Sequence, residues 1–143
     1  VSWVVEVLPE VVEDDLPAIE RSFKKALKSK RAAKRAFQAA KEEIVARIGQ
    51  LRSGPNQPQA TPEPRPANAP DLALWKIRFR FKISELPQGT VNFCRVMYAV
   101  AEDVRAIVVI FVYTHAEYSS RPDDRELRRR LLAAQEWARE RRS

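Results

Sequence analysis

The stretch from Leu74 to Tyr118 constrains this chain more than any other. It reads as three successive strands, LWKIRFRFK, NFCRVMYAV and AIVVIFVYTHAEY. In the first, Lys76, Arg78, Arg80 and Lys82 alternate with Trp75, Ile77, Phe79, Phe81 and Ile83. Successive side chains of a strand point to opposite faces, so one face can enter a core while the other presents a row of cations. Neighbours on one face stand about 7 Å apart, close to phosphate spacing. The pattern predicts a sheet that holds RNA.

The rest of the chain must cover the apolar face. A length of 143 residues suits a single domain spanning 1–143, with a core that needs neither disulfide nor metal. The net charge is +7 and unevenly spread: residues 1–15 carry five acids and no base, residues 16–53 eleven bases and three acids. Such a block suits a polyanion or an acidic partner, or simply a solvated helix surface. Cys94 is the single cysteine and lies in an apolar strand, which excludes an intrachain disulfide and fits a reducing compartment. With no long apolar run and no basic leader, the expected location is cytoplasmic, with no membrane contact.

Trp3 to Leu8 reads as a first strand. The acids up to Asp15 lead into a helix with Pro17 in its first turn, and Asp14 or Asp15 is the expected cap. Leu16, Ile19, Phe23 and Leu27 repeat at helical spacing, as do Phe37, Ala40, Ile44, Ile48 and Leu51. A single helix over residues 18–48 would outrun the domain at about 1.5 Å per residue, so a turn is expected near Ser29–Arg31. Residues 54–71 hold six of the ten prolines and read as a surface insertion loop. The chain ends in a helix after Asp123, where Glu126 completes a capping-box pattern. The fold class is therefore α+β, in the order β-α-α-β-β-β-α. It comprises an antiparallel-rich four-stranded sheet, a helical hairpin on one face, the cation row on the other, and a C-terminal helix.

Helical hairpin, LWKIRF, CRVMYAV and IVVIFVYTHAEYSS in succession resemble the RelE/ParE superfamily of type II toxin-antitoxin toxins, with its "LWxxR", "YRVxY" and "YxKxE" strings. Cys94 stands where tyrosine or phenylalanine is common, His115 where lysine is usual, and the proline-rich insertion is longer than the family's connection. The resemblance implies a toxin that inhibits translation as a metal-independent, ribosome-dependent endoribonuclease (an mRNA interferase). It also implies a cognate antitoxin as partner. The ParE branch poisons gyrase instead, and a noncatalytic RNA-binding module is a third alternative.

Metal-free RNA cleavage needs a base for the 2′-hydroxyl, an acid for the 5′-oxygen, and cations on the phosphorane. Arg95 is the candidate for the last role, since a guanidinium grips two phosphate oxygens at once; the alternative is a structural arginine paired to an acid. His115, the single histidine, can give or take a proton near neutrality. Tyr113, His115 and Glu117 share a face if the strand continues, and Tyr118 is a stacking ring, a proton donor or a packing group. The expected catalytic set is Arg95, His115, Glu117 and Tyr118. The expected RNA-binding set is Lys76, Arg78, Arg80, Lys82 and Tyr113. No HExxH, CxxC, Walker or Rossmann pattern occurs, so neither metal nor cofactor is expected.

Overall fold

The computed structural model describes residues 2–143. Its elements are β1 (Val4–Val7), α1 (Leu16–Ala26), α2 (Lys30–Gln50), β2 (Ala60–Glu63), β3 (Ala73–Arg80), β4 (Phe93–Ala101), β5 (Ala106–Thr114) and α3 (Asp124–Arg142). They form an α+β fold around one sheet ordered β1-β5-β4-β3-β2. Strands β2 to β5 are antiparallel neighbours, and β1 runs parallel to β5 on its far side. All nine residues of β5 are buried, as both of its alternating sets being apolar requires of an inner strand.

The sheet has five strands, not four. The additional strand comes from the segment expected to be a loop: Ala60 faces Ile77 and Glu63 faces Leu74. Pro62 hides this strand in the sequence, because a proline gives the ladder no donor. Arg78 N–H bonds Gln59 O, which by alternation turns the nitrogen of Pro62 away from β3, where its missing hydrogen costs nothing.

The helical hairpin covers one face, with Ser29 as the N-cap of α2 accepting from Ala32 N–H at 3.2 Å. Phe23 of α1 meets Phe37 of α2 and Phe81 edge-on, at centroid distances of 6.2 and 5.9 Å. Ala36 and Ala40 are fully buried and let α2 approach closely. Burying a side chain such as Phe23 or Ile44 stabilises the fold by roughly 1.5–3 kcal/mol, so this face carries much of the core. Helix α2 gives way to a tight turn at Leu51–Ser53, and Gly54 leaves it at φ +133°, a conformation that favours glycine.

Helix α3 lies across the opposite face, burying Leu127, Leu131, Ala134 and Ala138. It therefore shares the face of the cation row and leaves open only the end bearing Arg78, Arg80 and Arg95. Two expected caps differ in the structure. Residues Val11–Asp15 form a wider, π-type turn running into α1, and the Asp15 carboxylate bonds β5 and α3 instead of capping α1. Asp123 does cap α3, accepting from Arg125 N–H, but Glu126 turns to Arg129 and Arg130 and not back to the cap. Two guanidiniums outcompete one backbone N–H for that carboxylate.

Candidate functional site

Strand register builds the open face as three rows. Residues directly opposite on neighbouring strands share a face and stand about 5 Å apart. Lys76, Met97 and Phe111 form one row, and Arg78, Arg95 and Tyr113 the next. The last begins with Arg80 opposite Phe93 and is completed by His115, whose N–H bonds Phe93 O at 3.2 Å. The Arg80 guanidinium lies 4.7 Å over the Phe93 ring, and His115 packs 5.9 Å from that ring at a tilt of 41°.

In the centre two like charges face one another. Arg78 and Arg95 are directly opposite, an arrangement that is destabilising unless an anion joins them. Arg78 has partial relief from Thr61 Oγ1 at 2.6 Å and Glu63 at 3.8 Å. Arg95 makes no ion pair among the described residues; its Nη1 donates only to Cys94 O at 3.0 Å. Burial lowers its pKa from the ordinary arginine value, with Tyr113 opposing and Arg78 adding to the effect.

The pKa of His115 is lowered from 6.5, first by burial and then by the positive fields of Arg95, Lys76 and Arg78. A lowered pKa keeps the imidazole neutral at pH 7, the form that accepts a proton. Tyr118 is half-buried, edge-on to Phe111 and Tyr113 at 5.8 and 5.7 Å, and burial raises its pKa, so its hydroxyl keeps its proton.

Four of the residues expected from sequence are placed differently. Glu117 leaves the group: β5 stops at Thr114, the chain turns back, and the Glu117 carboxylate accepts from Thr114 N–H, Thr114 Oγ1 and Ser22 Oγ at 2.6–2.7 Å. Ser22 belongs to α1, so this carboxylate lies on the hairpin side of the sheet, away from Arg95. The Tyr113 ring is 1% exposed between Phe111 and Tyr118, leaving no face for a base; its hydroxyl is buried without a hydrogen-bond partner. Lys76 is 8% exposed, its Nζ 3.1 Å from Glu63. Lys82 lies past the end of β3, where its backbone N–H bonds the Glu43 carboxylate. The open wall is thus Arg78, Arg80, Arg95 and His115, flanked by Tyr118.

Sequence reading missed Glu63 and Thr61, which β2 carries onto the wall from a proline-rich segment with no strand signal. It also missed the buried pair of Asp15 and Arg130. Cys94 is fully buried and burial pushes its thiol pKa far up, as a core residue and not a nucleophile. Among the described residues no group of three or more His, Cys, Asp or Glu side chains comes together, and no helix is long and apolar enough to cross a membrane.

No family model matches the chain, and no curated protein matches it. Among solved structures it is similar to a double arginine-to-alanine mutant of the E. coli toxin RelE in the free state. The identity is 12%, the TM-score 0.40, and the likeness covers 83% of this chain and 90% of that one.

Proposed function

We propose that the chain is the toxin of a toxin-antitoxin pair and acts as a metal-independent endoribonuclease on messenger RNA at the ribosome. The observation that carries this reading is the unpaired Arg95 facing Arg78 beside a neutral His115. Two guanidiniums held together, with the Glu63 carboxylate 3.8 Å from Arg78 and none on Arg95, form a ready seat for a phosphate. The RelE/ParE-like strings LWKIRF and CRVMY favour the toxin half of this reading, and the chemistry of the open face favours cleavage. His115 takes the proton of a 2′-hydroxyl, whose oxygen attacks the adjacent phosphorus. The P–O5′ bond breaks, leaving a 2′,3′-cyclic phosphate and a 5′-hydroxyl. Arg95 and Arg78 hold the non-bridging oxygens as charge builds; Tyr118 returns a proton to the leaving oxygen, and Arg80 holds the flanking backbone. An acidic antitoxin segment would cover the same wall, drawn by its charge.

A second reading has its own observation. Glu63, the carboxylate that meets the cation row, is held by Lys76, and Glu117 is held at the turn after β5 on the other side of the sheet, which favours a module that binds RNA without cutting it. Mapping of messenger RNA ends after brief induction tests the two. Cleavage that falls at least about 100-fold in Arg95→Ala and His115→Ala, with both variants folded, supports the enzyme. Intact messages together with DNA damage, or equal toxicity in both variants, would contradict it.

A further inference from the structure

Next to the wall, on the same face, a groove of about 620 Å3 runs between the proline-rich segment and α3. Its sheet side is Leu74 of β3, and Leu127 and Leu131 of α3 close another side. Both banks are tied in place: Asn68 Nδ2 donates to Arg128 O at 3.0 Å, and Arg65 Nη1 donates to Pro70 O. The groove is therefore formed before any ligand arrives. Three arginines border it, Arg65, Arg121 and Arg128. Arg121 is paired with Asp124 at 3.4 Å, while Arg65 and Arg128 make no ion pair among the described residues.

The groove continues the wall. Leu74 precedes Arg78 by four positions on β3, about 13 Å along the strand, or roughly two nucleotide steps. Where the two meet, the Tyr113 hydroxyl lies unpartnered in the fields of Arg95, Glu63, Arg78 and Arg121. The acids near this junction are engaged, Glu63 by Lys76 and the groove-lining Asp124 by Arg121.

We propose that this groove is a second RNA subsite, taking nucleotides that flank the phosphate seated at Arg78 and Arg95. The proposal rests on the RNA-binding reading of the wall. Bases need apolar surface, which the exposed ring of Pro64 and the half-buried ring of Pro66 supply over a floor of buried leucines, and their phosphates need unpaired cations, which Arg65 and Arg128 supply. A protein strand fits less well. Pro62, Pro64 and Pro66 deprive the segment of the regularly spaced N–H groups that strand addition uses.

The test uses the full chain and non-cleavable 2′-O-methyl RNA, a tetranucleotide and a dodecanucleotide, with binding read by fluorescence anisotropy at fixed salt. In the wild type, lengthening should tighten binding by about 30-fold or more. Arg65→Glu/Arg128→Glu should reduce that gain to about threefold or less while leaving tetranucleotide affinity within about twofold. Lys28→Glu/Lys30→Glu, on the exposed hairpin turn, makes the same change in net charge and should keep most of the gain. Equal loss in both double variants would overturn the subsite, reducing the effect to general attraction. So would displacement of the dodecanucleotide by a leucine- and glutamate-rich decapeptide at far lower concentration, which would assign the groove to a protein partner. Failure of the tetranucleotide to bind, or binding indifferent to Arg95→Ala, would strike the wall itself; tetranucleotide binding without a gain on lengthening strikes only the groove.

Discussion

Arg130 and Asp15 form a buried ion pair, with Nη1 2.7 Å from Oδ2 and both side chains 5% exposed or less. Asp15 also accepts from Val112 N–H at 2.9 Å. Arg130 donates to Ile110 O and Glu126, and its guanidinium lies 3.7 Å from the Phe111 ring centroid. One salt bridge thus fastens the start of α1 and the whole of α3 to the strand that carries Tyr113 and leads into His115. Removing one partner strands the other charge, so Arg130→Ala should cost about 3–5 kcal/mol in urea unfolding. The double replacement Asp15→Leu/Arg130→Leu leaves no such charge and should cost clearly less than either single change. Additive losses would contradict the coupling.

His115 gives a direct electrostatic reading of the wall, because one histidine yields one imidazole titration by NMR. Its pKa is expected below 6.5, held down by burial first and by Arg95, Lys76 and Arg78 after it. Removing one of those charges, as in Arg78→Gln, should raise it. The sign for stability follows from the same shift: the imidazolium is less welcome in the folded state, so stability falls as pH drops through 6.5 toward the folded value. The acid limb of any cleavage profile should lie below pH 6.5 as well. A folded-state pKa above 6.5 would refute the positive environment.

Glu63 sits between the wall and its proline-rich edge, 3.1 Å from Lys76 and 3.8 Å from Arg78. Glu63→Gln removes the acid that competes with phosphate for those cations. RNA binding should tighten by roughly two- to tenfold, with a steeper dependence on salt. Unchanged affinity would mean that neither Lys76 nor Arg78 meets the ligand.

Glu117 separates structure from chemistry. Its carboxylate takes three hydrogen bonds at the turn after β5, so Glu117→Ala should destabilise the fold by about 2–3 kcal/mol. The rate per folded molecule should stay within about threefold, since nothing places that carboxylate at the wall. A loss of about 100-fold or more in a folded variant would return Glu117 to the chemistry.

What could be read in the sequence was whatever local periodicity encodes. The alternation from Trp75 to Arg80, the helical spacing of Ile19, Phe23, Ala40 and Ile44, and the all-apolar β5 each place their element and its buried face. What could not be read depends on partners distant in the chain. Ala60–Glu63 becomes a strand only because β3 offers an edge, and Pro62 together with the prolines on either side of the strand erases the usual signal. Lys76 has the pattern of an exposed cation but is buried by Glu63 of that strand. Glu117 keeps the parity of Tyr113 and His115, yet the strand ends at Thr114, where the chain turns back and the Glu117 carboxylate takes the Thr114 N–H and hydroxyl. At the candidate site, Arg95 and His115 could be picked out as candidates from their residue types and strand parity, whereas the lack of an ion pair on Arg95 among the described residues could not.

The most direct test of the account is the chemistry of the RNA ends left by the purified protein acting with ribosomes on a defined message. Attack by a neighbouring 2′-hydroxyl, with His115 as base and Arg95 on the phosphate, predicts 2′,3′-cyclic phosphate at the upstream end and a 5′-hydroxyl at the downstream end. Both should vanish in Arg95→Ala, in His115→Ala, and on a message carrying a 2′-deoxy residue at the cut. Ends bearing a 3′-hydroxyl and a 5′-phosphate, or a message that stays whole while bound, would contradict it.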